Sequence, residues 1–185
     1  MGSTQRADES QAMSSMGRRF TRIRISQTIE APLQGVWKEL RQIDRHVLWM
    51  KDAVSITFTT EQHEGPGTAF ICKTKIGPFR TNDTMTITEW IEGRQITVHH
   101  QGLITGAGRF SLRGEHGRHC VLRWEERLEF PWWLGGSLAG IVAKPILKQI
   151  WIRNLDRFSE LVLSGIERSA ADNRIGEDPQ NPDGE

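Results

Sequence analysis

The sequence has little of what marks the specialised protein classes. Only two of its 185 residues are cysteines, Cys72 and Cys120, and residues 1–19 hold no apolar stretch. No secretory leader and no disulfide framework are expected; two buried thiols in the cytoplasm are. The formal net charge is only +1, with acidic and basic residues interleaved rather than drawn into a basic stripe. A nucleic-acid partner is therefore not expected. The apolar, Gly and Ser run from Phe130 to Ala143 falls short of the ~18–20 residues a bilayer-spanning helix needs, so no transmembrane segment is expected.

Metal and cofactor signatures are missing as well. His99 and His100 are adjacent and would point to opposite faces of a strand, and His116 and His119 straddle a turn with no second pair at zinc-site spacing. Gly102, Gly106 and Gly108 lie among strands, not before a helix, so they do not form a phosphate loop. There is no GxSxG, and neither cysteine has a neighbouring base. No metal and no cofactor are expected.

What is present is one domain's worth of periodic sequence. Residues 1–18 are polar and aperiodic and read as a disordered arm; residues 168–185 are rich in Pro, Asp and Gly and read as a disordered tail. Residues 19–167 form the folded part. Ile23, Ile25, Gln27 and Ile29 alternate with polar neighbours, the period of a half-buried strand. Pro32 sits at a first helical position before Val36, Trp37, Leu40 and Ile43, and Asp44 can cap a second short helix carrying Val47, Leu48 and Trp49. Period-two runs then repeat up to Phe130, broken at Gly65-Pro66-Gly67, Gly77-Pro78, Glu92-Gly93 and Gly114–Gly117. A final helix of about 22 residues starts at Pro145, or a longer kinked one near Leu134. The order β-α-α-β-β-β-β-β-β-α predicts an α+β architecture. Its curved antiparallel seven-stranded sheet wraps around the long C-terminal helix.

Three segments resemble a known group: Ile29-Glu30-Ala31-Pro32 with Val36-Trp37 and Leu40, the hairpin Thr88-Glu89-Trp90-Ile91-Glu92-Gly93-Arg94, and the strand-to-helix run ending in Leu155 and Phe158. Over residues 20–165 the chain resembles the helix-grip fold of the SRPBCC superfamily. That superfamily includes START lipid-transfer domains, birch-pollen-allergen-like proteins and polyketide cyclases. The nearest likeness is to the bacterial polyketide cyclase/dehydrase and lipid-transport group. The resemblance implies a deep pocket between sheet and last helix for an apolar small molecule such as a lipid or polyketide-like ring. Aromatase/cyclase relatives tend to place Tyr and Arg in the pocket; this chain has no Tyr, and parity turns Arg109 outward.

Parity assigns the pocket wall. Phe70, Cys72 and Thr74 share one inner face, followed by Ile87, Val98, Phe110, Leu112 and Trp124 on later strands. The last helix and the segment before it contribute Trp133, Gly140, Leu147, Trp151 and Asn154. Glu126 and His100 fall on the same apolar face and are the candidate catalytic acid–base pair, since burial raises a carboxyl's pKa toward neutrality. The same residues also fit a bland role, as salt-bridged or hydrogen-bonded wall. Two functions follow: a carrier or sequestering protein for an apolar ligand, or a cyclase/dehydratase-type enzyme. A chaperone-like or toxin-like protein binder rests on fold analogy alone.

Residues 131–144 pose a separate question. Gly136, Gly140 and Ala143 fall on the sheet-facing arc and would leave a void for ligand. Leu134, Leu138, Ile141 and Val142 form an uncovered apolar patch. That patch packs inward if Pro145 shifts the helical phase. Otherwise it gates the pocket toward a membrane in a transient contact, or it joins a homodimer.

Overall fold

Alternating branched and polar residues build β1 (Thr21–Ile29), whose Ile23, Ile25 and Ile29 are buried. The computed structural model describes residues 20–175. The arm expected at 1–18, and residues 176–185 of the expected tail, lie outside the described residues. Pro32 caps α1 (Leu33–Leu40) from the position just before its first turn, and Val36, Trp37 and Leu40 face inward. The second α-helix expected next is instead a 3-10 helix, Ile43–Leu48, preceded by Gln42 with no side-chain cap from Asp44. Three residues per turn stack Ile43, His46 and Trp49 on the buried side and leave Leu48 exposed.

Six strands follow: β2 (Ala53–Phe58), β3 (Ala69–Ile76), β4 (Phe79–Ile91), β5 (Gln95–Gln101), β6 (Thr105–Glu115) and β7 (His119–Glu129). Each pairs antiparallel with its neighbour, and β1 closes against β7, giving the open order β1-β7-β6-β5-β4-β3-β2. Period-two alternation would carry Glu89 to the same face as Met85 and Ile87, but a bulge between Ile87 and Glu89 breaks it. Glu89 is exposed and accepts hydrogen bonds from Gln95 Nε2 (2.6 Å) and Thr97 Oγ1 (3.1 Å).

A 3-10 turn at Trp132–Leu134 and a left-handed Gly135 (φ 94°) lead into α2 (Gly136–Ile175). This helix starts well before Pro145, which sits inside it on an exposed face, and it runs into the stretch read as tail. Its Leu147, Trp151, Leu155, Phe158 and Val162 are buried under the curved sheet, the helix-grip arrangement. Cys72 and Cys120 are both buried and free.

One polar group holds α2 in register. Asn154 is fully buried; its Nδ2 donates to Asp52 Oδ1 (2.6 Å), and its Oδ1 accepts from the Lys51 backbone N–H (3.2 Å) and Arg157 Nη1 (3.3 Å). Asn154→Leu strands the Lys51 N–H and one Asp52 oxygen, so a loss of about 1–3 kcal/mol is expected in a urea titration. An unchanged midpoint would show that these bonds add nothing net.

Candidate ligand cavity

Inward side chains on β2 through β7 leave a space beneath the N-terminal half of α2, and the small residues of the helix there do not fill it. Ala139 and Ala143 face the gap, and the result is a cavity of about 480 Å³ walled mainly by apolar groups. Phe70, Cys72, Thr74, Val98, Phe110, Trp124, Leu147 and Trp151 line it, as parity assigned. Trp124 and Trp151 stack at 5.0 Å on one wall.

Five assigned residues lie off the cavity. Ile87 is fully buried, and Leu112 sits at the end of β6 opposite Leu122, both within the core proper. Trp133 is 60% exposed on the 3-10 turn. Gly140 abuts β1, where a Cβ would overlap Thr21 Oγ1, so its small size serves close packing rather than ligand space. Asn154 faces Asp52, as described above.

Glu126 and His100 do meet on the cavity wall. His100 Nε2 lies 3.3 Å from Glu126 Oε2, and its Nδ1 lies 3.3 Å from the Ile104 carbonyl oxygen. Trp124 Nε1 donates to Glu126 Oε1 at 2.8 Å. Burial alone would lower the His100 pKa, but the bond to Glu126 and its charge outweigh that, helped by Ile104 and Asp83, and hold the pKa above its usual value. A protonated His100 would donate from Nε2 to Glu126 and from Nδ1 to the Ile104 carbonyl, which is why both raise its pKa. Such a pair can hold or shuttle a proton beside a bound molecule.

Glycines make this polar corner possible. A Cβ at Gly108 would overlap Glu126 Oε1, and one at Gly102 would overlap Asp83 Oδ1. A Cβ at Gly106 would overlap the Arg127 carbonyl oxygen first, with His100 Cε1 beyond it. Two of the three glycines that make no phosphate loop are thus the space into which Asp83 and Glu126 fit, and the third lets the β7 backbone approach. Asp83 was missed in the sequence. It lines the cavity, accepts from Thr81 Oγ1 (2.7 Å) and from the Leu103 N–H (3.3 Å), and is held only by neutral donors. Asp52, His46 and Met85 also line the wall unannounced. A run of strand glycines facing polar residues one strand over was the available signal.

Thiol chemistry is disfavoured here. Burial pushes the Cys72 thiol pKa up, and Asp52 and Asp83 add to this, while its contact with Thr74 only partly offsets it. Cys120 is pushed up to about 11, chiefly by burial. Neither supplies a thiolate at neutral pH. Among the described residues no group of His, Cys, Asp and Glu could hold a metal ion.

The cavity's rim is apolar and exposed. Phe79, at the tip of the β3–β4 hairpin, and Ile146 on α2 both line the cavity and are 64% and 55% exposed, so the mouth lies between them. Leu138, Ile141 and Val142 extend that surface outward; Pro145 does not turn them into the core. Side-chain placement of Leu134 lies outside the described residues.

No protein-family model matches the chain, and no curated protein matches it in sequence. Solved structures do share its fold. The Zhui aromatase/cyclase from Streptomyces sp. R1128 superposes with a TM-score of 0.62 at 14% identity, covering 82% of this chain and 96% of its own. Norcoclaurine synthase from Thalictrum flavum gives 0.61 at 14% identity, covering 80% and 96%. A START superfamily protein from Mycobacterium smegmatis gives 0.57 at 12% identity, covering 80% and 98%. At such identities the shared property is the fold, and it is the one the three sequence segments resembled.

Proposed function

We propose that the protein binds an apolar small molecule in the cavity between sheet and α2 and serves as its carrier or sequestering protein. The observation that carries this reading is the cavity itself, about 480 Å³ of mainly apolar wall with a mouth at Phe79 and Ile146. Burial of ligand surface at ~25 cal/mol per Å² supplies the affinity, and the few polar wall groups set orientation. Those groups also set a preference. Asp52, Asp83 and Glu126 line the cavity, and among the described residues no lysine or arginine does. A neutral or cationic amphiphile that donates hydrogen bonds suits that wall, whereas a fatty-acid carboxylate would sit among like charges. The two free, buried thiols suit the cytoplasm as its place of action.

The test uses ligands that share one chain. Decanol, decylamine and decanoate are titrated against the fluorescence of Trp124 and Trp151, with stoichiometry read by native mass spectrometry. Decanol and decylamine should bind one per chain, and decanoate about tenfold weaker or worse, the equivalent of ~1.4 kcal/mol. Failure of all three to bind removes the carrier reading, and equal binding of all three removes the charge preference.

The His100–Glu126 pair favours a second reading, a cyclase- or dehydratase-type enzyme in which Glu126 and His100 move a proton on the bound molecule. Glu126→Gln separates the two. A carrier keeps its ligand and loses nothing else, while an enzyme keeps the ligand and loses turnover.

A further inference from the structure

The mouth of the cavity lies within a surface that water does not favour. Trp132 is 87% exposed, and Leu138, Ile141, Val142, Ile146 and Phe79 are each more than half exposed. Monomeric proteins rarely leave so many large apolar groups together unless something covers them. Charge says what does. The tip Ile76–Phe79 is framed by the cross-strand pair Lys75 and Arg80, with Lys73 behind it, and α2 carries Lys144 and Lys148 beside its exposed apolar residues. All of these cations are exposed, and none forms an ion pair among the described residues. A second copy of the chain would bring the same unpaired cations against themselves. An anionic lipid surface would neutralise them and take the apolar tips into its interface.

We infer that this face docks on an anionic lipid bilayer, with the β3–β4 tip and the first turns of α2 immersed and the cavity mouth opening into the interface. Phe79 and Ile146 line the cavity and belong to the docking face at once, so a docked molecule exchanges its ligand without passing it through water. Trp132 suits the headgroup level, where an indole meets both apolar and polar surroundings. Among the described residues no helix is long and apolar enough to cross the membrane, and the contact inferred is a peripheral one. This inference rests on the carrier reading and adds the partner from which the ligand comes.

The experiment is flotation of the full chain with vesicles of phosphatidylcholine alone and of phosphatidylcholine with about 30 mol % phosphatidylglycerol. Binding is expected on the mixed vesicles only, and should weaken steeply between ~0.1 M and ~0.5 M salt as the surface charges are screened. Lys75→Gln with Arg80→Gln should weaken it about 30-fold, at ~1 kcal/mol per cation lost near the surface. Leu138→Ser with Ile141→Ser should weaken it at least tenfold, and both positions are exposed and off the cavity wall, so the fold and the ligand site tolerate the change. Decanol binding, measured in the same variants, should be retained. No flotation, or flotation indifferent to lipid charge and salt, overturns the docking while leaving the carrier reading intact. Sedimentation showing that the patch is covered by a second copy overturns it equally. Loss of decanol binding by the unmodified chain would instead take the carrier reading down, and the docking with it.

Discussion

Trp49→Ala is expected to cost about 3–5 kcal/mol of folding stability, roughly a third or more of what a domain commonly has. Trp49 is 1% exposed and follows the 3-10 helix whose three-residue period turns it inward. Its ring lies 4.9 Å from that of His46, 5.0 Å from Phe158, 6.0 Å from Phe110 and 6.1 Å from Trp124. It therefore ties the 3-10 segment to β6, β7 and α2 at a single point. Three of those partners, His46, Phe110 and Trp124, are also cavity wall. Truncation would leave a void continuous with the ligand space, and the surrounding rings are fixed by the sheet and helix, so collapse into it is limited. Trp49→Phe should behave differently. The Trp49 Nε1–H is buried and makes no hydrogen bond among the described residues. Phenylalanine loses some packing but also removes an unpaired donor whose burial costs about 1–3 kcal/mol. The two effects oppose, and a net change within about 1.5 kcal/mol is expected. Urea titrations of both variants check the contrast. Equal losses for Ala and Phe would mean that the indole N–H has a partner after all.

The same tryptophan marks where the sequence is legible and where it is not. Period-two alternation located the strands, and short turns at Gly77-Pro78 and Glu92-Gly93 implied antiparallel neighbours. The pairing of β1 with β7 is a contact between the ends of the domain that no local pattern announces. Parity placed Glu126 and His100 on one face, and they do meet. It failed for Glu89, because one extra residue in a bulge reverses inside and outside for everything beyond it. Asp83 was missed for another reason. Asp and Asn are poor strand formers, and it is the pairing with β3 that makes Arg80-Thr81-Asn82-Asp83 part of a strand. Asn154 was read correctly as inward, but its partner Asp52 is remote in sequence, and so it became a ligand contact on paper and a structural clamp in the fold. Helix periodicity continued backward from Pro145 grouped Leu138, Ile141 and Val142 on one side but left open whether they pack inward; they are exposed.

His46 should make the protein acid-sensitive well above the range in which carboxylates titrate. It lies within the cavity wall, wholly enclosed, with Nε2–H donating to the Leu40 carbonyl oxygen at 2.8 Å. Burial lowers its pKa from 6.5 to about 4, against smaller opposing effects of the Leu40 carbonyl and Asp44. The sign follows from which state takes up the proton. Above pH 6.5 both folded and unfolded chains hold a neutral imidazole, and His46 has no effect. Below 6.5 the unfolded chain binds a proton that the folded chain refuses, so stability falls until pH reaches about 4. The gap between 6.5 and about 4 amounts to about 3 kcal/mol, of which roughly 2 kcal/mol is lost by pH 5. His100 acts in the opposite direction: its raised pKa adds stability that is fully present below 6.5 and fades as pH climbs through its folded value. Together the two histidines place a stability maximum near pH 6.5, one limiting each side. Glu92, whose pKa is lowered by hydrogen bonds from Trp90 and Trp37, adds acid sensitivity only below about 4.5, so the interval from pH 5 to 6.5 isolates His46. In that interval His46→Phe, which keeps a ring against Trp49 and Phe110, should flatten the loss seen in the parent. Urea titrations at pH 5 and 6.5 on both proteins give the answer. A parent as stable at pH 5 as at 6.5 would mean that water reaches this imidazole through the cavity and that the wall is not closed around it.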